Sequence, residues 1–180
     1  MQAKIEGMIH LIFGEQGAGK STYAIKLASK VNGVHLSIDD WMQDLFSHDL
    51  PIPMDIGWIR ARVKRCEKKI WSTALQIVRS GGNVILDLGF MKTENRSLYI
   101  ALAQESGIQI ERHYITAELS TRYKRVMKRN SDRNKTYSFE VTPTMFHYME
   151  NEFESPTEDE LKTVVIVNTD GYNLDGVVNL

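Results

Sequence analysis

The octet Gly14-Glu15-Gln16-Gly17-Ala18-Gly19-Lys20-Ser21 fits the pattern G-x-x-x-x-G-K-S/T in full, and the physics behind that pattern is specific. Glycines let successive backbone N–H groups curl around a polyphosphate without Cβ clashes. A helix that opens at Gly19 adds its positive dipole end. Lys20 then reaches the β- and γ-phosphates, and the Ser21 hydroxyl ligates Mg²⁺. The stretch Gly14, Glu15, Gln16, Gly17, Ala18, Gly19, Lys20, Ser21 and Thr22 is the candidate ATP-binding strip.

Two further groups of residues could complete such a site. Asp39 and Asp40 are adjacent carboxylates. One of them would accept the proton of an attacking hydroxyl, or both would serve only as cap and first-turn acids of a helix. Asp87 follows an apolar run, where a carboxylate either orients the water shell of the metal or caps the next turn. Arg122, Arg125, Arg129 and Arg133 are spaced by 3, 4 and 4, which places them along one face of a continuous helix. Guanidinium forks suit phosphoryl oxygens, so this segment reads as an arginine-bearing lid over about 122–138. The competing reading is a solvated helix face. The same choice faces Arg62 and Arg65, for which the helix surface is the better reading. His10, His35, His48, His113 and His147 show no ligand spacing along the chain.

The elements that must position these residues are legible in outline. Met8 to Phe13 reads as a strand buried on both faces, and Gly19 to about Lys30 as a helix with Ala24, Ile25, Leu27 and Ala28 on its apolar face. Val34 to Ile38 is a second strand, and Ser47 to Gly57, with Pro51 and Pro53, a loop. Trp58 to Arg79 has the spacing of a long helix closed by Gly81 and Gly82. Strands at Val84 to Leu88, Gln109 to Thr116 and Val164 to Val167 alternate with helices from Thr93, from Glu118 and from Thr142, the last with Pro143 in its first turn. Strands alternating with helices imply a parallel sheet covered on both faces, with the ligand beyond the carboxyl ends of the strands. The expected fold is therefore α/β: a P-loop NTPase domain spanning 1–180, with a parallel five-stranded sheet and a lid.

Composition narrows the function. The chain has 180 residues, 42% hydrophobic and 25% charged, which excludes a disordered or collagen-like chain. Its net charge of −1 argues against a general nucleic-acid or membrane binder. Thirteen of the 22 Lys and Arg nevertheless fall in 60–69 and 122–135, so positive charge is concentrated in two places. One cysteine, Cys66, rules out an intrachain disulfide. No run approaches the roughly 20 apolar residues that span a bilayer, and a cytoplasmic location is expected.

With these residues in place, the chain resembles the small P-loop kinases often grouped as AAA-type ATP-binding proteins. They include the 5′-kinase domain of polynucleotide kinase, chloramphenicol phosphotransferase and the zeta-toxin kinases. Lys20-Ser21, Asp39-Asp40, Asp87 and the run from Lys128 to Arg133 occur in the family's order. The resemblance covers about residues 8–170. It implies that Asp39 is the general base, that Arg129 and Arg133 contact the phosphates, and that ATP and Mg²⁺ are used. The expected acceptor is a hydroxyl of a small molecule or of a nucleic-acid 5′ end. Trp41, Phe46 and Trp58, near the Asp pair, would suit an aromatic or sugar ring, though core packing accounts for them as well. The rival expectation is a nucleotide-dependent regulatory ATPase or switch with no acceptor of its own.

Overall fold

The computed structural model describes residues 7–132 and 140–171. Five strands are met in chain order: β1 (Met8–Phe13), β2 (Gly33–Ser37), β3 (Asn83–Asp87), β4 (Gln109–Thr116) and β5 (Val165–Asn168). All are parallel, and their order across the sheet is β2-β3-β1-β4-β5. The helices are α1 (Lys20–Lys30), α2 (Ile38–Phe46), α3 (Ile56–Arg79), α4 (Thr93–Glu105), α5 (Leu119–Asp132), α6 (Pro143–Glu152) and α7 (Glu158–Leu161).

The pleat of β1 sorts the core into two layers. Ile9, Leu11 and Phe13 meet Ile70, Ala74 and Val78 of α3 and Tyr99 of α4. Ile12 points the other way, into a layer with Ala24, Leu27 and Ala28 of α1 and Ile85 and Ile115 of the neighbouring strands. The helices thus cover both faces, as the alternating pattern implies. Cys66, Ile70, Ala74 and Val78 recur every fourth residue and are the buried stripe of α3. Ile25, expected on the apolar face of α1, is 52% exposed. The buried stripe of α1 is Ala24, Leu27 and Ala28, and Ile25, about 100° round the helix from Ala24, falls at its edge.

Two elements differ from expectation. β2 ends at Ser37 and α2 begins at once, with the Ser37 hydroxyl accepting the Asp40 N–H at 3.2 Å. The segment 47–57 is not all loop, for Ser47–Asp49 forms a 3₁₀ turn and α3 starts at Ile56 behind an Asp55 cap. A short helix that periodicity does not reveal, α7, is closed by a capping box between Thr157 and Glu160.

Beneath α7 lies Arg96, fully buried on α4. Its five N–H groups reach Glu160 Oε1 and Oε2, Thr93 Oγ1, Phe90 O and Glu154 O at 2.7–3.2 Å. The guanidinium also lies 4.7 Å over the Phe13 ring. One side chain thereby ties the loop after β3 to the last crossover of the chain.

Candidate active site

The glycine-rich loop between β1 and α1 is pressed against its surroundings at two points. At Gly14 (φ 150°) a Cβ would lie 1.9 Å from Ile115 O, and at Gly17 (φ 78°) 2.6 Å from Arg122 O. No other residue fits either place. Loop carbonyls are engaged by protein donors. Arg122 Nη1 donates to Gln16 O at 3.3 Å, Thr169 Oγ1 to Ala18 O at 2.7 Å, and Lys20 Nζ to Glu15 O at 2.9 Å. In a trans peptide the following N–H points opposite to its carbonyl, so holding the carbonyls fixes where those amides aim. The Glu15 side chain turns away to accept the Tyr114 hydroxyl at 2.7 Å, leaving only the backbone of Glu15 to the loop.

Helix α1, like α4, lacks the side-chain cap that four other helices carry. Ser37, Asp55, Thr142 and Thr157 each close a helix start with a side chain, whereas α1 has Gly19 in the left-handed region and no side-chain cap. Its first N–H groups are thus left for an anion.

A cleft of about 1040 Å³ opens above this loop. Gly14, Gly17, Lys20, Ser21, Asp39 and Asp87 line its floor and Arg125, Lys128 and Arg129 one side. Burial pushes the Lys20 ammonium below its ordinary pKa, while Asp87, Asp39 and Glu15 pull it back up and Arg129 opposes them. Asp39 keeps an exposed face toward the cleft. The protein around its other side, then the Asp87 carboxylate, push its pKa above the ordinary value against Lys20 and Arg129. Asp87 is buried and lies 3.4 Å from His35 Nε2. Lys20, Asp39, Asp87 and Arg129, expected in one site, thus form one electrostatic group.

The basic helix divides its arginines. Arg122 is neither lid nor solvated face. It is buried, donates to Ala117 O at 2.9 Å and grips the Glu150 carboxylate of α6 with both terminal nitrogens. Arg125 reaches Thr169, with its terminal nitrogens 2.9 Å from Oγ1 and 2.7 Å from the carbonyl. Arg129 lines the cleft and is coupled electrostatically to Lys20 and Asp39. Arg133 lies outside the described residues, as do the rest of 133–138 at the end of the expected lid. Arg62 and Arg65 are not among the residues that line the cleft. Arg62 sits 3.4 Å over the Trp58 ring and donates to Trp58 O at 3.2 Å.

The other wall of the cleft is apolar. Met42, Phe46, Met54, Trp58, Met91 and Met149 stand there, drawn from α2, α3, α6, the connection before α3 and the loop between β3 and α4. Phe46 and Trp58 could be read from the sequence, whereas Trp41, read with them, packs against the core and is not in the lining. The methionines could not, because isolated methionines at unrelated positions carry no pattern.

The fold that carries this arrangement agrees with what comparison finds. The family model for the AAA domain matches residues 9–156. The chain belongs to the AAA domain family. No curated protein matches its sequence. Solved structures resemble this AAA domain along nearly its whole length. A Chloroflexus aurantiacus protein is 16% identical, with 94% of each chain covered and a TM-score of 0.71. The Mycobacterium tuberculosis APS kinase CysC, solved with AMPPNP and APS, is 15% identical, with 96% of this chain and 93% of that one covered and a TM-score of 0.62. Chaetomium thermophilum Kti12, solved with ADP-AlF3, is 14% identical, with 92% and 91% covered and a TM-score of 0.65. At such identities the likeness establishes the fold of this AAA domain, a P-loop α/β fold. Among its described residues, no helix is long and apolar enough to cross a membrane.

Proposed function

We propose that the protein is an ATP-dependent kinase that transfers the γ-phosphoryl group to a hydroxyl of a small acceptor with an apolar body. The observation that carries this reading is that one cleft joins the phosphate loop, Lys20, Asp39 and Arg129 to an apolar wall. In-line transfer needs positioning and charge neutralisation more than covalent help. Asp39 accepts the acceptor's proton, and a raised carboxylate pKa brings it nearer to that task. Lys20 and Arg129 spread positive charge over the peripheral phosphoryl oxygens. Arg133 is assigned to the same role by its place in the chain after Arg129. Ser21 and Asp87 offer the hard oxygen donors that suit Mg²⁺ and both line the cleft, so these residues fit the ion. Bound there, it would neutralise charge on the β- and γ-phosphates.

The acceptor wall favours a small molecule over a nucleic-acid end. Among the described residues, the cleft lining drawn from α2, α3 and the connection between them includes no Lys or Arg. A polynucleotide needs cations for its own phosphates.

The test is phosphoryl transfer from γ-labelled ATP with Mg²⁺ across aryl and alkyl alcohols, sugars, nucleosides and 5′-hydroxyl oligonucleotides. ATP consumption that rises steeply with an apolar alcohol is the expected result. Turnover stimulated only by a protein partner would replace this reading with the regulatory switch. Preference for an oligonucleotide would replace the acceptor class alone.

A further inference from the structure

His10 of β1 and Glu111 and His113 of β4 are brought to one point on the face of the sheet that α1 covers. His10 and Glu111 are register partners. His10 Nδ1 lies 3.1 Å from His113 Nε2 and 3.2 Å from Glu111 Oε2, and His113 Nε2 lies 2.9 Å from Glu111 Oε2. Both histidines are buried, and the Glu111 side chain is 42% exposed. None of the three lines the nucleotide cleft.

This triangle is poorly served by hydrogen bonds. An ionised carboxylate has no proton to give, and each imidazole nitrogen here is either a donor or an acceptor. If both donate to Oε2, two donors face each other across 3.1 Å. If only one donates, the other nitrogen turns its lone pair on a carboxylate oxygen 2.9 or 3.2 Å away. With Glu111 ionised, every placement of the imidazole protons therefore sets like against like on one edge. A cation at the centre satisfies all three edges at once. Ligands 2.0–2.1 Å from a metal are roughly 2.9 Å apart on an octahedral edge and roughly 3.4 Å on a tetrahedral one, and the observed edges span 2.9–3.2 Å.

We propose that His10, Glu111 and His113 form a site for a divalent transition-metal ion of the zinc class. Two imidazoles and one carboxylate are a donor set that such ions accept and Mg²⁺ does not favour. The Tyr23 hydroxyl lies 2.9 Å from His113 Nδ1, so it holds the far nitrogen of a ligand ring in the way that fixes tautomer and orientation. The exposed edge at Glu111 gives an ion its entry and water its place as a fourth ligand. The bound ion joins β1, which leads into the phosphate loop, to β4, which leads toward α5.

The experiment uses the full-length, untagged protein, stripped with a chelator and titrated with Co²⁺ in excess Mg²⁺, which fills oxygen-only sites. Saturation at a single equivalent is expected, with a visible ligand-field band that Zn²⁺ abolishes. Zn²⁺ at a hundredfold excess over its Kd should raise the thermal midpoint by about 5–10 °C. Saturable binding should be lost in Glu111→Ala and in His113→Ala and retained in Asp87→Asn. Glu111→Ala removes a partly exposed side chain, so it reports even if the buried histidine variant fails to fold. Absence of stoichiometric Co²⁺ binding overturns the proposal. So does a band that survives Glu111→Ala or that disappears in Asp87→Asn.

Discussion

Ser37 holds the Asp40 N–H, so Asp39 has no capping work to do on α2. The two residues can therefore be told apart by substitution. Ser37→Ala should lower stability by about 1 kcal/mol, the ordinary cost of losing such a cap. Asp39→Asn should leave the fold intact and reduce phosphoryl transfer by about 10²–10⁴-fold, the usual loss of a general base, with little change in ATP affinity. Full activity in Asp39→Asn would move the base to Asp40. Because the folded state holds the Asp39 proton more tightly than the unfolded chain does, its ionisation opposes folding as pH rises through the carboxylate range. Removing that charge should raise the thermal midpoint of the ligand-free protein at neutral pH. In the active enzyme, the acid limb of kcat/KM should lie above the pH of an ordinary carboxylate, a direction that a pH profile checks. Lys20 supplies the complementary test. Lys20→Ala should abolish turnover and weaken Mg-ATP binding, read by calorimetry, while circular dichroism stays unchanged.

Helix α5 separates structural from chemical arginines within two turns. Arg122→Ala leaves Glu150 without its partner and frees the Gln16 carbonyl. Breaking a buried pair from one side costs about 3–5 kcal/mol, so the thermal midpoint should drop by about 6–20 °C. Arg129→Lys should keep the midpoint and lose turnover, because a point charge does not replace a planar fork. The reverse pattern would exchange their roles. From sequence, spacing put both on one helix, and that much is right. What spacing cannot say is which neighbour each side chain meets, since Glu150 arrives from a separate helix, α6. The limits of α1, β4 and α6 were legible within a residue or two because Gly, Pro and apolar alternation mark them. Helix α7 was not, since four residues, three of them acidic, show no apolar period. The phosphate loop was legible in full because its chemistry is local. The His10–Glu111–His113 cluster was not, because its members meet across 103 residues of chain.

Across the whole molecule, the Arg96–Glu160 pair is the tie with the clearest dependence on pH. Burial raises the Glu160 pKa, but hydrogen bonds from Arg96 and Thr157 and the charges of Arg96 and Arg112 outweigh it, and the net direction is down. The folded state thus binds this proton less tightly than the unfolded chain does. Its contribution is present above the unfolded carboxylate value of about 4.3 and is lost as pH falls through the lower folded value. Thermal scans between about pH 6 and pH 3 should show a steeper loss in the wild type than in Glu160→Gln, which begins less stable. Parallel slopes would remove Glu160 from the acid response. The sheet order β2-β3-β1-β4-β5 also sets a timetable. The first strand to be synthesised is the middle one, with β3 and β4 as its partners. Ala18 receives its bond from Thr169, which lies 151 residues further on. At a translation rate of roughly 5–20 residues per second, the cradle waits about 8–30 s for its last clamp. A nascent chain on the ribosome therefore carries its phosphate loop well before Thr169, which clamps the Ala18 carbonyl, has been made.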